Sequence, residues 1–466
     1  MKRPTMPPAL HDYADSLPEK EDLAYMRKIM MDRLDNVGVV DHKGRYLHWD
    51  KLQYVPLPES VETTIEHWHR VKWARLGRQK KTVFKDEHRL PFVYVETDRF
   101  SELKDRILTH ATGTLSAPEQ VNDPSTKETY LISSLIEESI NSSQMEGAST
   151  TRRVAKDMLR SGREPKDHSE RMISNNYLVM QFIRELLEGG DIPLTPEIVL
   201  AIHDKVTDGT LSGEDAGKGG QYREDADHII VGDPNTDNVL HVPPSAALLK
   251  DRMQHLCDFV NSKTDPPGSY LPPVIRAIIT HFLIGYDHPF VEGNGRTARA
   301  LFYWVMIKHN YWLMEYVSIS SVIKRNQQDY LRAYLRTETD DNDLTYFILQ
   351  QLEVINEAID VFHAHVARRV EQDQQIRQMF KSSALKKSLN PRQISLIRNA
   401  LSNPGNSYTI KSHSNSHACS KEVARRDLRD LADNLELLEK YKKDAKALVF
   451  VAPHDLAERI NRAEPR

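Results

Sequence analysis

The chain has little cysteine and no long apolar run, and each shortage excludes a class of protein. Its 466 residues include two cysteines, Cys257 and Cys419, which excludes a disulfide-held scaffold or a cysteine-rich zinc site and fits a reducing compartment. No stretch of 18 apolar residues occurs, so we expect no membrane span. The first residues, MKRPTMPPALHDYADS, include basic side chains but no apolar segment behind them, so we expect no secretory signal. These features together predict a cytoplasmic protein.

An excess of one charge sign is also missing. Lysine and arginine number 63 against 67 aspartates and glutamates, which leaves a net charge of −4. This balance argues against a protein that coats nucleic acid over its whole surface, although one local basic face stays open. The length predicts two or three domains.

Composition and periodicity divide the chain into three parts. We predict that residues 1–125, which are rich in aromatic side chains, form a mixed α/β extension. Residues 126–375 predict a helical core, because apolar residues recur at helical spacing in segments such as TYLISSLIEESINSSQMEG. After a linker in FKSSALKKSLNPRQ, residues 385–466 predict a helix, a short strand, a helical pair and a closing β-type run. We interpret this last part as a winged helix-turn-helix-like domain with Ser420 as the N-cap of its recognition-type helix, so the predicted fold class is mainly α.

One segment interrupts the helical core. DHIIVGDPNTDNVLHVPP contains two β-type runs, residues 229–231 and 239–242, separated by residues rich in Gly, Pro, Asn and Asp. This pattern predicts a β-hairpin. Two strands alone are marginally stable in water. We therefore expect a hairpin inside a helical domain to have a function.

The histidine pair around Trp68 has two readings. His67 and His69 could belong to a metal site or could pack on an amphipathic helix. No further ligand pattern accompanies them, so we interpret them as surface or packing residues.

The stretch HPFVEGNGRTAR, residues 288–299, lies where one apolar helix is predicted to end and another to begin at Arg296. A helix N-terminus offers unpaired N–H groups and the positive end of the helix dipole, which together make an anion site. Gly293 and Gly295 allow the backbone to approach a phosphate with positive φ. Asn294 between them can donate a hydrogen bond to a phosphate oxygen.

The charged residues of the same stretch suit a polyphosphate. Arg296 and Arg299 are three positions apart, so both guanidinium groups can reach one ligand. Glu292 is an acid among cationic groups and suits a Mg²⁺ ion that bridges phosphate oxygens. His288 ends the preceding helix and can act as a general base, while Phe290 is better explained as a packing anchor.

These twelve residues match in full the signature His-Pro-Phe-x-(Asp/Glu)-Gly-Asn-Gly-Arg-x-x-Arg, and the chain therefore resembles the Fic family (filamentation induced by cAMP). Most members transfer AMP from ATP to a Tyr, Thr or Ser hydroxyl of a target protein and release pyrophosphate. The resemblance implies ATP as substrate, Mg²⁺ held by Glu292 and His288 as the base on the target hydroxyl. The implied ATP- and phosphate-binding residues of the loop are Gly293, Asn294, Gly295, Arg296, Thr297, Ala298 and Arg299. Gly295 also favours nucleotidyl transfer, because a kinase-like branch of the family has Lys there.

A second match lies upstream, in SSQMEG. It fits the family's inhibitory pattern (Ser/Thr)-x-x-x-Glu-(Gly/Asn), with Ser142 and Glu146 on one face of a helix. The resemblance implies that Glu146 pairs with Arg299 and prevents productive ATP binding, with Ser142 in a supporting role.

Two further segments take roles from the resemblance. The predicted hairpin, residues 229–242, would be a flap on which an extended segment of the target protein pairs by strand addition. IKRNQQDYLRAY resembles the family segment that closes the adenine pocket, which makes Asn326 and Tyr330 candidate nucleotide contacts.

Other functions stay open at this point. The same core could transfer another nucleotide such as UMP, or remove AMP with a water positioned by Glu146. A non-enzymatic alternative is a DNA-binding regulator that senses ATP and contacts DNA through residues 390–466. The sequence leaves open a homodimer, the identity of the target protein and the modified residue.

Overall fold

The structure, a computed structural model, describes residues 3–15, 18–31, 37–112, 124–232, 238–262, 270–382, 389–417, 419–443 and 447–462. The chain divides into two compact units, residues 1–362 and 363–466, and each is described by itself. The three-part division with boundaries near residues 125 and 375–385 stays a prediction.

The first unit is built mainly from helices. Its elements are α1 (Leu10–Asp15), α2 (Glu19–Met31), α3 (Trp49–Leu52), α4 (Thr64–Leu76), β1 (Lys80–Lys85), β2 (Pro91–Tyr94), α5 (Asp98–Thr112), α6 (Pro124–Met145), α7 (Arg152–Ser161), α8 (His168–Glu188), α9 (Pro196–Thr207), β3 (Val231–Gly232), β4 (Val239–His241), α10 (Leu249–Asn261), α11 (Pro273–Asp287), α12 (Asn294–Lys308), α13 (Ile319–Arg325), α14 (Gln327–Thr339) and the first part of α15 (Thr345–Ser382). The predicted mainly α fold class is confirmed.

Helices α11 and α12 form the centre of this unit. Helix α11 carries apolar side chains on all its faces, and nearly every residue of both helices is buried, as expected of helices inside a large core. Pro273 lies in the first turn of α11, where its missing N–H leaves no hydrogen bond unmade. Helix α12 packs against α11, α6, α8 and α9. The loop that joins α11 to α12 is therefore held by rigid elements.

The predicted hairpin is present as β3 and β4. They pair antiparallel, with Val231 opposite His241 and Gly232 opposite Val239. The connecting residues 233–237 lie outside the described residues. His241 fixes the hairpin to the core, because its ring nitrogens lie 2.7 Å from the Tyr286 carbonyl oxygen and 3.0 Å from the Glu338 carboxylate.

His67 and His69 lie in α4 as packing residues. Both are buried, and Nδ1 of His69 is 2.6 Å from the Tyr25 hydroxyl while Nε2 is 3.1 Å from the Pro8 carbonyl oxygen. Among the described residues, no group of three His, Cys, Asp or Glu side chains could hold a metal ion.

The second unit has its own small core. Its elements are the remainder of α15, then α16 (Pro391–Ser402), β5 (Ser407–Thr409), α17 (Ile410–Ser416), α18 (Lys421–Arg429), a π-helical turn (Asp430–Asn434), β6 (Glu439–Lys443), β7 (Ala447–Val451) and α19 (Leu456–Arg462). The strands form an antiparallel sheet in the order β5-β7-β6. Ser420 is the N-cap of α18, because its side chain accepts the Val423 N–H.

Two predictions for this part of the chain need correction. Residues 439–441 were predicted as the end of the helical pair but form the start of β6, because β6 pairs with β7 along its full length. Helix α15 continues to Ser382, so the predicted linker begins inside a helix, and its residues 383–388 lie outside the described residues.

Within the described parts of the chain, none of the helices combines the length and the apolar character that crossing a membrane requires.

Candidate active site

The site is built on the turn between α11 and α12. Helix α11 ends at Asp287, and its C-cap residue, His288, has a φ of 44°, which lies in the left-handed region. This conformation costs free energy for a residue with a Cβ. The His288 N–H donates a hydrogen bond of 3.1 Å to the Ile284 carbonyl oxygen. Helix α12 begins at Asn294, two residues before the predicted Arg296, with Gly293 as its N-cap at a φ of 82°.

His288 has the properties of a base at neutral pH. Its Nδ1 lies 3.3 Å from the Gly285 carbonyl oxygen, which can only accept, so the Nδ1–H donates and Nε2 keeps its lone pair. Burial lowers the pKa of His288 to about 4, although the Gly285 carbonyl and the Glu146 carboxylate oppose this shift. The imidazole is therefore neutral at pH 7 and able to take a proton.

The loop after His288 is closed by its own side chains. Phe290 is fully buried, as expected of a packing anchor. The Phe290 N–H donates to Oδ1 of Asn294 at 3.0 Å, and Nδ2 of Asn294 donates to the Phe290 carbonyl at 2.7 Å. The structure thus gives the Asn294 amide a different role from the phosphate donor expected from the sequence: it fixes the shape of the loop.

Two side chains outside the motif hold its backbone. His203, on α9, stacks on the Phe290 ring at a centroid distance of 3.7 Å. Its Nδ1 accepts the Gly220 N–H at 3.0 Å, so its Nε2–H donates to the Glu292 carbonyl at 2.9 Å. Burial lowers the pKa of His203 to about 4, which keeps this arrangement of donor and acceptor at neutral pH.

Arg223 is the second of these side chains. Its Nε donates to the His288 carbonyl at 2.8 Å, and its backbone N–H donates to the Pro289 carbonyl at 2.9 Å. Sequence reasoning missed both His203 and Arg223. Both residues lie far from the motif along the chain.

The two glycines of the motif have different roles. Gly293 has the positive φ that was predicted. Gly295 does not, because it lies in the first turn of α12. A Cβ at Gly295 would lie 2.2 Å from Oε1 of Glu146, so the missing side chain makes room for that carboxylate.

Arg296 and Thr297 carry buried polar groups without hydrogen-bond partners. Nη1 of Arg296 donates to the Val206 carbonyl at 2.8 Å, but within the described chain its Nε and Nη2 and the Thr297 hydroxyl make no hydrogen bond. Burial lowers the pKa of Arg296. Unpaired buried donors are costly, and donors at a helix N-terminus fit a phosphate ligand. Ala298 is buried beside them and offers no ligand group.

Glu292 is the exposed member of the motif. Its side chain is 49% exposed, and its ion pair with Nη2 of Arg296 is long, at 3.6 Å. A single carboxylate fits Mg²⁺ when phosphate oxygens and water supply the other ligands, as Mg²⁺ usually requires. Glu292 is thus a fitting ligand for a magnesium ion that arrives with a nucleotide.

Helix α6 brings Ser142 and Glu146 onto Arg299. Nη2 of Arg299 donates to Oε1 of Glu146 at 2.8 Å, and Nε donates to the Ser142 hydroxyl at 2.8 Å. Ser142 therefore contacts the arginine directly rather than only supporting Glu146. Burial disfavours the Arg299 charge, yet the nearby carboxylates, Glu146 above all, keep the pKa of Arg299 above its usual value.

Asn326 and Tyr330 lie in different surroundings. Tyr330 is buried on α14 with its hydroxyl 3.0 Å from Nε2 of His281, and burial raises its pKa against the opposing charge of Arg299. Asn326 is exposed, donates to Asp329 and lines a cleft of about 900 Å³. Tyr330 thus lies near Arg299, whereas the Asn326 side chain is at the surface and bonded to Asp329.

Comparison with known proteins finds a family match around this turn. Residues 193–306 match the Fic/DOC family, and this range includes the turn, α11 and α12 up to residue 306. The segment that carries the candidate site is therefore similar to Fic/DOC proteins.

Curated relatives match part of the chain. Protein adenylyltransferase Fic of Drosophila willistoni is 31% identical over 150 residues, which are 32% of this chain and 26% of the relative. The protein of the same name from Nematostella vectensis is 26% identical over 211 residues, 45% of this chain and 44% of the relative. The chain thus spans less than half the length of these relatives. The crystal structure of a Fic family protein from Desulfovibrio desulfuricans G20 has a TM-score of 0.47 and 18% identity, covering 77% of this chain and 97% of that one.

The matched Fic range leaves out part of the site. Ser142 and Glu146 precede it, and Asn326 and Tyr330 follow it. The fold therefore adds α6 and α14 to the Fic motif from outside the matched segment.

Proposed function

We propose that the protein transfers AMP from ATP to a hydroxyl side chain of a target protein and releases pyrophosphate. The observation that carries the proposal is the pairing of a neutral, half-buried His288 with an anion-binding helix N-terminus that begins six residues later. His288 would be the base for a hydroxyl, and the N-terminus of α12 would bind phosphates, within the same loop. Curated relatives named protein adenylyltransferase support the same activity.

The geometry suggests how each group acts. Nε2 of His288 takes the hydroxyl proton as the target oxygen attacks the α-phosphorus. The bond from the α-phosphorus to the bridging oxygen breaks, and pyrophosphate leaves. The turn from Gly293 into α12 would bind the phosphates through backbone N–H groups and the donors of Arg296 and Thr297, and Arg299 would bind the outermost phosphate once Glu146 has left it. Catalysis would depend on positioning and charge more than on covalent help.

Magnesium would be held by Glu292. Bound there with the nucleotide, the ion would neutralise charge on the phosphate oxygens. His288 and the loop residues perform the proton transfer and the phosphate binding themselves.

Autoinhibition by α6 is part of the proposal. Glu146 and Ser142 occupy the Arg299 donors that an ATP phosphate would need. A nucleotide that enters without that contact would be bound with its α-phosphate out of line, and a small displacement is enough to silence transfer.

The hairpin would present the target. Three of its side chains, those of Ile230, Val239 and Val242, are exposed apolar residues, and strand addition on such an edge sets the register of an extended segment. Recognition of the target protein would thus involve surfaces of the target other than the one around its modified residue.

The second unit and the location complete the proposal. The helix–strand–helix–helix–sheet order supports a winged helix-turn-helix-like domain. Lys421, Arg425 and Arg426 are exposed on α18, which favours contact with DNA as a second function of this unit. The low cysteine content supports a cytoplasmic location.

Incubation with labelled nucleotides tests the activity. The Glu146→Gly variant and the Glu146→Gly, His288→Ala double variant are compared on lysate proteins with ATP, UTP and GTP labelled at the α-phosphate. We expect label from ATP only, in the single variant only. Transfer from UTP instead would replace AMP by UMP, and label that persists without His288 would overturn the proposed chemistry.

A further inference from the structure

Helices α6 and α12 face each other along a line of polar residues. Glu138 and Ser142 lie on α6 and Glu146 directly follows its last residue, Met145. The three are spaced at intervals of four, so they share one face. Residues 295, 299 and 303 of α12 share one face by the same spacing. Glu146 lies against Gly295 and Arg299, Ser142 against Arg299, and Glu138 against Tyr303. The inhibitory contact is thus one end of a polar seam, defined by these six residues.

The other end of the seam is a buried carboxylate that the activity does not use. Glu138 is 1% exposed. Its Oε2 lies 3.0 Å from the Tyr303 hydroxyl, 2.8 Å from the Ser318 hydroxyl and 3.1 Å from the Ser320 N–H. The Ser320 hydroxyl donates to Oε1. A carboxylate only accepts, and each of these four groups can donate.

These donors come from two elements other than α6. Tyr303 belongs to α12, while Ser318 and Ser320 belong to the N-terminal turn of α13. Tyr303 is itself fixed, because its hydroxyl also lies 3.1 Å from the Val317 carbonyl and accepts the Ile319 N–H.

We propose that Glu138 is a positioning residue that sets the register of α6 and thereby places Glu146 on Arg299. A buried carboxylate is costly unless its full set of donors is present. If α6 rotated or slid by one residue, the carboxylate would lose those donors and meet apolar neighbours. The seam therefore has one alignment of low free energy, and in that alignment Glu146 reaches Arg299. The effect of Glu138 on the position of α6 is inferred from geometry, whereas its effect on activity rests on the proposed function.

The neighbouring acid provides a matched control. Glu137 lies on the same helix turn but forms ion pairs with Arg152 and Lys156 toward the surface, with 19% of its side chain exposed. Glu138→Gln and Glu137→Gln therefore remove the same charge from the same turn, and only the first removes it from the seam.

Hydrogen exchange followed by mass spectrometry tests the position of α6. We expect amide exchange over residues 143–148, where the helix end is held by bonds to the Ser143 carbonyl, to rise on the order of tenfold in Glu138→Gln, the effect of weakening one or two charge-assisted hydrogen bonds. Glu137→Gln should leave it unchanged. Equal exchange in both variants, or a rise spread evenly over residues 1–362, would overturn the proposal.

Activity assays then separate the positional role from the proposed function. We expect Glu138→Gln to raise AMP incorporation several-fold over the wild type, and to add nothing in the Glu146→Gly background. A further increase in that background would show that Glu138 acts apart from Glu146 and would refute the inference. If Glu146→Gly transfers no AMP while the local exchange change is present, the proposed function fails and the positional role is upheld.

Discussion

At the scale of single residues, the protonation of His288 makes the first prediction. An ordinary histidine loses its function as a base below about pH 6.5, but burial lowers the pKa of His288 to about 4. The neutral form therefore persists as the pH falls from 8 to 5. The measurement is the pH dependence of kcat/KM for AMP transfer by the Glu146→Gly variant, because kcat/KM reports the ionisation of groups in the free enzyme. We expect no decrease from protonation of His288 above about pH 5.

The matching substitution is His288→Ala. Loss of a general base costs on the order of 10²- to 10⁴-fold in rate, while ATP binding should survive because the base acts on the hydroxyl. A pH profile with a midpoint near 6.5, or wild-type transfer in His288→Ala, would contradict the assignment.

Arg299 carries the second prediction at this scale. In the Glu146→Gly background, Arg299→Ala should weaken ATP binding by about 1.5 to 3 kcal/mol, since one charge-assisted contact to the outermost phosphate is lost. AMP lacks that phosphate, so its affinity should barely change. Isothermal titration with both nucleotides gives the two values, with the exposed Arg106→Ala as control. Equal losses for ATP and AMP would place Arg299 elsewhere on the ligand.

Single residues also show how far the sequence alone could predict the site. The motif placed His288, Gly293 and Arg299 at a junction between two helices, and the structure has all three at the junction of α11 and α12, because such a loop is local in the chain. Their roles toward ATP stay predictions. It assigned Asn294 to a phosphate, whereas in the structure the amide oxygen and one amide N–H bond to the Phe290 backbone. His203 could not be found this way, because its contact with the Glu292 carbonyl depends on how α9 packs.

At the scale of elements, the proposed autoinhibition by α6 gives the third prediction. Glu146→Gly removes the carboxylate that occupies Arg299, so auto-modification and target labelling should rise at least tenfold, the factor that corresponds to about 1.4 kcal/mol. Ser142→Ala should raise labelling less, because the Glu146 ion pair with Arg299 remains. Labelled AMP incorporation in the two variants and the wild type gives the comparison. An unchanged rate in Glu146→Gly would exclude autoinhibition by this contact.

The elements themselves were predictable where their pattern is local. Apolar spacing predicted α6, α8, α9 and α11, and the Gly- and Pro-rich segment predicted the β3–β4 hairpin. Strand β6 was missed, because its sequence EKYKK continues a charged amphipathic segment and it is ordered by pairing with β7. Pairing between strands depends on a partner, which a local pattern does not contain.

At the scale of the whole molecule, buried histidines link the folding of the first unit to pH. Burial lowers the pKa of His203 and His288 to about 4 and that of His281 to about 3. Each is neutral when folded, while the unfolded chain binds a proton below about pH 6.5. The unfolded state thus holds more protons between about pH 6.5 and 4, and stability falls as the pH falls through this window.

His281 allows this linkage to be measured without touching the base. It is fully buried, and Nε2 lies 3.0 Å from the Tyr330 hydroxyl. We expect the thermal midpoint of the wild type to drop steadily from pH 7 to pH 5, and His281→Gln to remove up to about 1.4 kcal/mol per pH unit from that dependence. His88→Gln, at an exposed site, serves as control and should leave the slope unchanged. The variant is less stable than the wild type at pH 7, because an amide fits the imidazole cavity poorly, but the difference should shrink toward pH 5. A constant difference across that range would show that His281 takes no part in the acid sensitivity of the fold.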